Sequence, residues 1–277
     1  MTWISKKDRF INFLPVFGSF STALIYSSIG VIAILSFLRI KHGGADAKSL
    51  LAFLDDYFFG KIIVGLILLG LVSFVIWRIF EAIKDPYKYG SDFSGMSKRT
   101  GIGLSSLADA FIAYAAAKAL FNFGRLHEHG QPRQQRETIA QFLEQDWGRW
   151  LVIGLGIAIF ATAVVQFFYG LSHGYRERLD IARFNKEKKQ LIHFFGWMGY
   201  SARGIIIGII GFSLLVAGFT KDAGHSVNTD KAFNFIGENI GNLPFVLVAI
   251  GTICYGLFMV AMGITYDVDN DPSDTKT

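Results

Sequence analysis

The chain contains few charged residues and a single cysteine. Asp, Glu, Lys and Arg make up 18% of its 277 residues, below the roughly 25% that is usual for soluble domains. No intramolecular disulfide can form, because Cys254 has no second cysteine to pair with. Cys254 lies inside an apolar run, where a thiol is typically a small packing residue. The low charge argues against an ordinary soluble domain.

Signatures of catalysis and of nucleotide binding are also missing. The sequence holds no Walker loop, no zinc signature, no His-Glu-x-x-His and no Gly-x-Ser-x-Gly, each of which carries a known chemistry. The formal net charge is +5, but the basic residues lie in particular loops, which indicates membrane topology rather than nucleic-acid binding. We therefore predict no enzymatic activity, no cofactor and no nucleic-acid partner.

Two clusters resemble metal sites only in part. His127 and His129 flank Glu128, but this spacing does not place both histidines on one helical face. Three aspartates near the C-terminus are spaced like the first ligands of a calcium loop: Asp267, Asp269 and Asp271. Pro272 stands where that loop needs glycine, and the closing glutamate is absent. We predict that neither cluster binds a metal.

Long uncharged runs dominate the rest of the chain. Residues 10–38, 150–175 and 239–266 contain no Asp, Glu, Lys or Arg, and each exceeds the roughly 20 residues that a helix needs to cross a bilayer. Two shorter runs, 62–77 and 204–220, reach that length if the flanking Lys61, Arg78, Arg203 and Lys221 extend to the headgroups. A sixth apolar segment, 101–123, contains Asp109 and Lys118. We predict an all-α polytopic membrane protein.

The charge distribution predicts the orientation of these helices. We place them near residues 18–38, 61–82, 100–122, 150–172, 200–220 and 243–265. The N-terminal segment, the second and fourth loops and the tail then hold 14 Lys and Arg, against ten in the other loops. Because positive loops stay in the cytoplasm, we expect both termini there. We expect the basic loop 176–189 to contact anionic lipid headgroups.

An internal repeat relates the first helix of each hairpin. Aligning Ala23, Gly101 and Gly204 places small residues four and seven positions further on: Ser27, Ser105 and Gly208, then Gly30, Ala108 and Gly211. Offsets of zero, four and seven fall on one helix face. Small residues on one face let membrane helices approach closely, so we predict that this face packs the helices together.

The second helices repeat in the same way. Glycines begin them at Gly60, Gly148 and Gly241, and further small residues follow ten positions on at Gly70, Ala158 and Gly251. A short amphipathic stretch precedes each one, at 49–55, 138–144 and 231–237, and is typical of a helix at the membrane surface. The copies run in one direction, so we predict a single membrane domain, 1–277, of three parallel hairpins with pseudo-threefold symmetry: 13–90, 91–180 and 190–268.

The third copy carries a recognisable motif. Residues 197–204 read Trp-Met-Gly-Tyr-Ser-Ala-Arg-Gly and lead into the apolar run with Gly208 and Gly211. This resembles the repeat of a bacterial membrane family catalogued as domain of unknown function 1206, whose members consist of three tandem two-helix units. The first two copies depart from the motif. The resemblance implies a bacterial inner-membrane location and implies no activity.

Asp109 is the sharpest candidate for a functional residue. It lies about ten residues into the third predicted helix, where an unpaired charge costs at least ~2.5 kcal/mol. Its equivalents in the repeat alignment are Val31 and Phe212. It would serve either as an ion or proton site or as a structural group. In the structural role it would pair with Arg78 or Arg203, or hydrogen-bond to a hydroxyl of Ser27, Ser28 or Thr162.

Arg203 belongs to the repeat motif and has three possible roles. Its guanidinium would clamp backbone carbonyls of a neighbouring copy, bind a lipid phosphate, or extend to the membrane surface. Together with Asp109, Arg78, Ser27 and Ser105 it makes up the candidate intramembrane polar site.

Two functions remain open from the sequence. The first is a non-enzymatic membrane protein that packs with, or scaffolds, lipids or protein partners. The second is a small channel or transporter for ions, protons or small solutes, with a polar path near Asp109. Tight packing of the small-residue faces would favour the first, and a hydrated cavity lined by serines and Asp109 would favour the second.

Overall fold

Seven helices account for most of the residues that the structure describes. The computed structural model describes residues 6–38, 58–85, 89–92, 95–96, 99–103, 106, 110, 113–114, 117, 120–121, 133–179 and 184–265. The helices are α1 (Lys6–Phe37), α2 (Phe58–Lys84), α3 (Arg133–Leu143), α4 (Asp146–Leu171), α5 (Lys186–Thr220), α6 (Thr229–Phe235) and α7 (Asn242–Thr265). No strand occurs within these ranges.

Five helices are long and apolar enough to cross a membrane: α1, α2, α4, α5 and α7. Large apolar side chains such as Leu69, Phe168, Phe212 and Ile264 are exposed along them, which is typical of surfaces that face lipid. These helices occupy five of the six predicted spans. The sixth, 100–122, is helical at each position between 101 and 120 that the structure describes.

Two helices begin well before the predicted spans. α1 starts at Lys6 rather than near 18, and α5 starts at Lys186 rather than near 200. At α5 the Asn185 side chain accepts a hydrogen bond from the backbone N–H of Lys188 at 3.1 Å, and Glu187 lies in the first turn. Both features stabilise a helix N-terminus. The last four residues of the predicted basic loop, 186–189, are therefore helical.

Short helices precede two of the second helices. α3 covers most of the amphipathic stretch predicted at 138–144, and α6 with the π-helical turn Ile236–Ile240 covers the one at 231–237. The apolar side of α3 faces the protein, where Ile139, Phe142 and Leu143 pack near Val152 and Leu214. The stretch predicted at 49–55 lies outside the described residues.

The described helices differ in how extensively they contact one another. The most extensive contact joins α4 and α5, followed by α1 with α7, α5 with α7 and α1 with α2. Segment 100–122 touches two further helices. A Cβ built on Gly101 would lie 3.4 Å from Cγ1 of Val165 on α4, and one built on Gly103 would lie 3.7 Å from Cβ of Ala82 on α2. The segment therefore lies beside both α2 and α4.

Within the first and third hairpins the two helices meet at equivalent positions. A Cβ on Gly70 of α2 would meet the Ser21 side chain of α1, and a Cβ on Gly251 of α7 would meet Ala202 of α5. Gly70 and Gly251 share one repeat position, and so do Ser21 and Ala202. The repeat thus extends from the sequence to the contacts inside the first and third hairpins.

Contacts between hairpins repeat as well. A Cβ on Gly30 of α1 would lie 2.6 Å from Cγ1 of Ile253 on α7, and one on Gly211 of α5 would lie 2.6 Å from the backbone nitrogen of Phe160 on α4. Gly30 is equivalent to Gly211, and Ile253 to Phe160. The interface of the third hairpin with the first therefore has the same pairing as that of the second with the third.

The other predicted packing residues of α1 and α5 lie along these two interfaces. On α5, Gly204 faces Phe167 of α4 and Gly208 faces Ala163. On α1, the backbone oxygen of Ala23 and the hydroxyl of Ser27 face Gly256 of α7.

Candidate polar site in the bundle interior

Buried polar side chains at one end of the bundle include Ser19, Thr22, Arg78, Glu81, Gln166 and Arg203. The three from α2 and α4 lie in the last two turns of those helices, and the two hydroxyls lie in the first half of the α1 span Val16–Phe37. This end carries the N-terminus of α1 and the C-terminus of α2. An apolar cluster that includes Ile29, Ile67 and Val248 fills the opposite part of the core.

Helix geometry directs these side chains away from lipid. Residues two positions apart on a helix are separated by about 200°. Thr22 lies two residues from both Phe20 and Leu24, whose side chains are exposed. Gln166 likewise lies two residues from the exposed Val164 and Phe168. Both polar side chains therefore point into the bundle.

The two arginines follow the same rule. Ile205 and Ile76 are exposed, and each lies two residues from an inward arginine, Arg203 or Arg78. These arginines are 3% and 6% exposed, so neighbouring side chains enclose both guanidinium groups. The exposed Lys61 and Lys221 do lie at helix ends.

Arg203 lies where α1, α5 and α7 meet. Its guanidinium carbon is 5.0 Å from the ring centroid of Tyr26 on α1 and 4.9 Å from that of Tyr255 on α7. Its Nη1 also donates a hydrogen bond to the Tyr255 hydroxyl. The two rings meet edge to face at 4.9 Å. Two aromatic faces and a hydroxyl thus surround a cation that always keeps its charge.

Two further ionisable side chains, Arg78 and Glu81, are buried on α2. Arg78 stacks over the Phe74 ring, with its guanidinium carbon 4.7 Å from the centroid. Glu81, three residues further on, is 1% exposed. Residues three apart lie on one helix face, so a guanidinium and a carboxyl group share the inward side of this helix.

Tyrosines continue the site beyond Arg203. Tyr200 contacts Tyr255 edge to face at 5.3 Å and stacks on Tyr175 at 5.9 Å. Tyr175 follows the end of α4, is completely buried, and donates a hydrogen bond to the backbone oxygen of His193 at 2.7 Å. A Cβ on Gly196 would lie 2.7 Å from Cζ of Tyr175. Glycine at 196 therefore leaves room for the ring of Tyr175. This ring packs the segment between α4 and α5 against α5.

Tyr175 should make stability depend on alkaline pH. Burial raises the pKa of its phenol from 10.0 to about 12, so the folded protein holds this proton more tightly than the unfolded chain does. The stabilisation is complete below pH 10 and is lost as pH rises from 10 towards 12. In Tyr175→Phe we expect a smaller loss of stability between pH 9 and 12 than in wild type. Equal slopes in thermal unfolding across that range would contradict this assignment.

Several predicted site residues lie outside the described part of the chain. They are Asp109, Ser105 and Ala108, together with His127, Glu128, His129 and the three aspartates of the tail. Gly101 lies against α4, as given above, rather than within the polar site. Among the described residues, no group of three or more His, Cys, Asp or Glu could hold a metal ion.

Sequence reasoning missed two arginines that join hairpins. Arg149, near the start of α4, donates through Nε to the backbone oxygen of Gly218 at 3.1 Å and through Nη2 to that of Phe219 at 3.4 Å. Arg99 does the same at the end of α2, with 2.8 Å bonds to the oxygens of Ala82 and Ile83. The last carbonyls of a helix have no partner within the helix. Arg149 and Arg99 thus have the clamping role that was also considered for Arg203.

Removing the Arg149 clamp should weaken the protein measurably. Arg149→Ala leaves two carbonyls at the end of α5 without their charged donor, at a cost of about 1.5–3 kcal/mol in unfolding free energy. Lys61→Ala is the control, because Lys61 holds the same repeat position in the first copy and is exposed. Denaturant titration should separate the two variants, and equal stabilities would argue against the clamp.

Three inward residues have buried polar atoms that lack a hydrogen-bond partner among the described residues. The hydroxyls of Ser19 and Thr22 and both amide atoms of Gln166 are buried with no hydrogen-bond partner among the described residues. Each such atom costs about 1–3 kcal/mol if it stays dry. Four of them would consume much of the roughly 5–15 kcal/mol by which a native protein is stable.

Comparison with known proteins gives a family but no activity. The model of a family described as Domain of Unknown Function (DUF1206) matches the chain three times, at residues 17–85, 100–173 and 198–266. The chain is 28% identical over 265 residues to the uncharacterised protein YxxB of Bacillus subtilis (strain 168), across 95% of this chain and 91% of that protein. No solved structure matches.

The family match corrects the register of the second copy. The first and third segments start 181 residues apart, at 17 and 198, and so do Ala23 and Gly204. The first and second segments start 83 residues apart, at 17 and 100, whereas Ala23 and Gly101 are 78 apart. Aligning the starts of the matched segments makes Ser106, not Gly101, equivalent to Ala23, five residues from the predicted register.

A contact in the structure supports the corrected register. With Ser106 aligned, Gly103 is equivalent to Phe20 and Ser201, and these residues contact equivalent positions of the preceding hairpin: Ala82, Gly263 and Gly170. The error arose because small residues satisfy both registers: Ala110 and Ala113 replace Ser105 and Ala108 at the four- and seven-residue offsets. Asp109 then corresponds to Tyr26 and Ile207.

Proposed function

The chain belongs to the DUF1206 family, and we propose that it is a non-enzymatic integral membrane protein whose three hairpins form a closed packing unit. In this proposal it has six spans, lies in a bacterial inner membrane with both termini in the cytoplasm, and packs with or scaffolds lipids or other membrane proteins. Five spanning helices and the helical residues of 100–122 support six spans.

The observation that carries the proposal is the equivalence of contacts between hairpins. The pairs Ala82–Gly103, Gly263–Phe20 and Gly170–Ser201 occupy the same repeat positions at the first-to-second, third-to-first and second-to-third interfaces. Such a cycle is what pseudo-threefold symmetry requires. Close approach at small residues is typical of stable membrane-helix interfaces, so these contacts favour a packed core over an open pore.

The basic end of α5 supports an association with anionic lipid. Lys186 and Lys188 are exposed, and the exposed rings of Phe194 and Trp197 follow on the same helix. Aromatic rings prefer the membrane interface, and each basic residue near an anionic surface contributes about 1 kcal/mol. The whole loop 176–189 would then contact phosphate headgroups.

Neutralising these lysines should remove a preference for anionic lipid. We expect the wild-type protein to unfold at a higher temperature in nanodiscs with phosphatidylglycerol than in nanodiscs of phosphatidylcholine alone. Lys186→Gln/Lys188→Gln should reduce that difference, because two charges near the headgroups are lost. The control is Lys221→Gln/Lys231→Gln, which changes two exposed lysines, one at the C-terminal end of α5 and one on α6. This variant should leave the difference in unfolding temperature unchanged. The same reduction in both variants would count against a lipid site at this loop.

A transporter or channel is the second candidate, favoured by the charges inside the bundle. Arg78, Glu81 and Arg203 are buried within membrane-spanning helices, and ionisable residues there often mark ion or proton pathways. In this alternative the path would pass near Asp109.

Flux measurements distinguish the two functions. Wild type and Asp109→Asn are reconstituted in proteoliposomes, and proton and ion flux is recorded, with thermal stability as a check on folding. No flux in either protein, with a less stable variant, is the result expected for a packing protein with a structural Asp109. Flux in wild type that disappears in a normally stable variant would replace the proposal with transport.

A further inference from the structure

The inward polar groups of α1 and α4 each lie next to a contact with α5. Arg203 of α5 reaches Tyr26 of α1, which is one helical turn beyond Thr22 on the same side of that helix. On α4, Gln166 lies between two contacts with α5. Ala163, one turn before it, faces Gly208, and Gly170, one turn after it, faces Ser201. Thr22 and Gln166 therefore point into the part of the interior that Arg203 occupies.

We propose that this end of the bundle interior is a hydrated site, formed by Ser19, Thr22 and Gln166, which takes water and small uncharged polar solutes. The groups without partners among the described residues are two hydroxyls and a carboxamide. They can donate and accept hydrogen bonds but carry no charge, so their chemistry fits neutral polar molecules. Buried polar groups are nearly always satisfied, and internal water is the usual partner where protein groups are lacking.

The site is closed at its far end. Ile29 follows Thr22 by two turns on the inward face of α1 and is 2% exposed, within the apolar cluster that includes Ile67 and Val248. That cluster also includes Ile206, about one turn beyond Arg203 on α5, and Leu71 of α2. In this proposal water enters from the end of the bundle that carries the N-terminus, because the polar groups lie nearer to that end, and the site does not cross the membrane. The inference does not depend on the proposed packing function.

Cysteine accessibility tests the site. In a Cys254→Ser background the introduced thiol is the only one in the chain. Thr22→Cys and Gln166→Cys are treated in membrane vesicles of both orientations with a membrane-impermeant methanethiosulfonate. We expect both thiols to react from one side only, at least about ten-fold faster than in Ile29→Cys, because a thiol ionises and reacts only where water reaches it. Phe168→Cys, on the lipid face of α4, is the second control.

Two results would overturn the proposal. Folded Thr22→Cys and Gln166→Cys that react no faster than the controls would make the interior dry. Equal reaction of Ile29→Cys would mean that the site is not confined to one end. Gln166→Leu gives an independent measurement. It should lower the thermal midpoint or leave it unchanged if water satisfies the amide, whereas a clear rise would show that the amide is dry and unsatisfied.

Discussion

Gly211→Ala is expected to lower the free energy of unfolding by about 2–3 kcal/mol, the usual cost of overpacking a tight core. The new Cβ would lie 2.6 Å from the backbone nitrogen of Phe160 and 2.9 Å from its Cα. Backbone atoms of a packed helix cannot rotate away as a flexible side chain can. The whole of α4 would have to shift relative to α5, across the most extensive helix interface of the protein.

A second substitution tests the repeat itself. Gly30 lies at the equivalent position, where a Cβ would be 2.8 Å from the backbone oxygen of Ala249 and 3.0 Å from the nitrogen of Ile253. Because the two interfaces pair the same repeat positions, Gly30→Ala should cost a similar amount. A loss confined to one of the two variants would mean that the interfaces differ in spite of their common register.

Gly154→Ala is the matched control for both variants. Gly154 lies on the exposed side of α4, and a Cβ built there has no neighbour within 4 Å. Alanine favours a helix over glycine by about 0.8–1 kcal/mol, so this variant should be as stable as wild type or slightly more stable. Unfolding by denaturing detergent in mixed micelles would rank the three proteins. Equal losses at Gly154 and Gly211 would exclude close packing as the cause.

The membrane helices were predictable because their signal is local. Uncharged runs such as 239–266 exceed the thickness of a bilayer, and the corresponding α7 ends within one residue of its predicted range. The beginnings of α1 and α5 were not predictable in this way. Their first turns are polar, so a prediction from hydropathy places the start of each helix at the edge of the apolar run. In α5 the helix begins earlier, where the side chain of Asn185 caps its first turn.

The polar site was only partly predictable, because burial depends on partners far away in the chain. Arg78 and Arg203 lie near the ends of apolar runs, a position that is also typical of side chains that extend to the headgroups. What retains Arg203 in the interior includes the rings of Tyr26 and Tyr255, and their helices are joined to α5 only by the fold. Gln166 was not predicted, because an uncharged side chain in an apolar run gives no signal in the charge pattern. Its inward direction follows from the exposed residues Val164 and Phe168 on either side.

Arg203→Ala is expected to cost about 3–5 kcal/mol, the range for emptying a large buried side chain. The substitution removes the contacts with two aromatic faces and the hydrogen bond to Tyr255. Each cation–π contact in a desolvated setting contributes up to about 2 kcal/mol, so these losses and the cavity act in the same direction. The measurement is the free energy of unfolding, with Arg176→Ala as control because Arg176 is exposed.

Arg203→Lys separates the role of charge from that of shape. Lysine retains the positive charge but lacks the planar group that stacks on a ring and donates in a fixed direction. If the guanidinium is held by its stacking between Tyr26 and Tyr255, lysine should recover less than half of the stability lost in Arg203→Ala. Tyr255→Phe should cost only about 1 kcal/mol, since it removes one hydroxyl and keeps the ring. Full recovery by lysine would mean that any cation suffices at this junction, and that the repeat motif retains arginine for a reason other than stability.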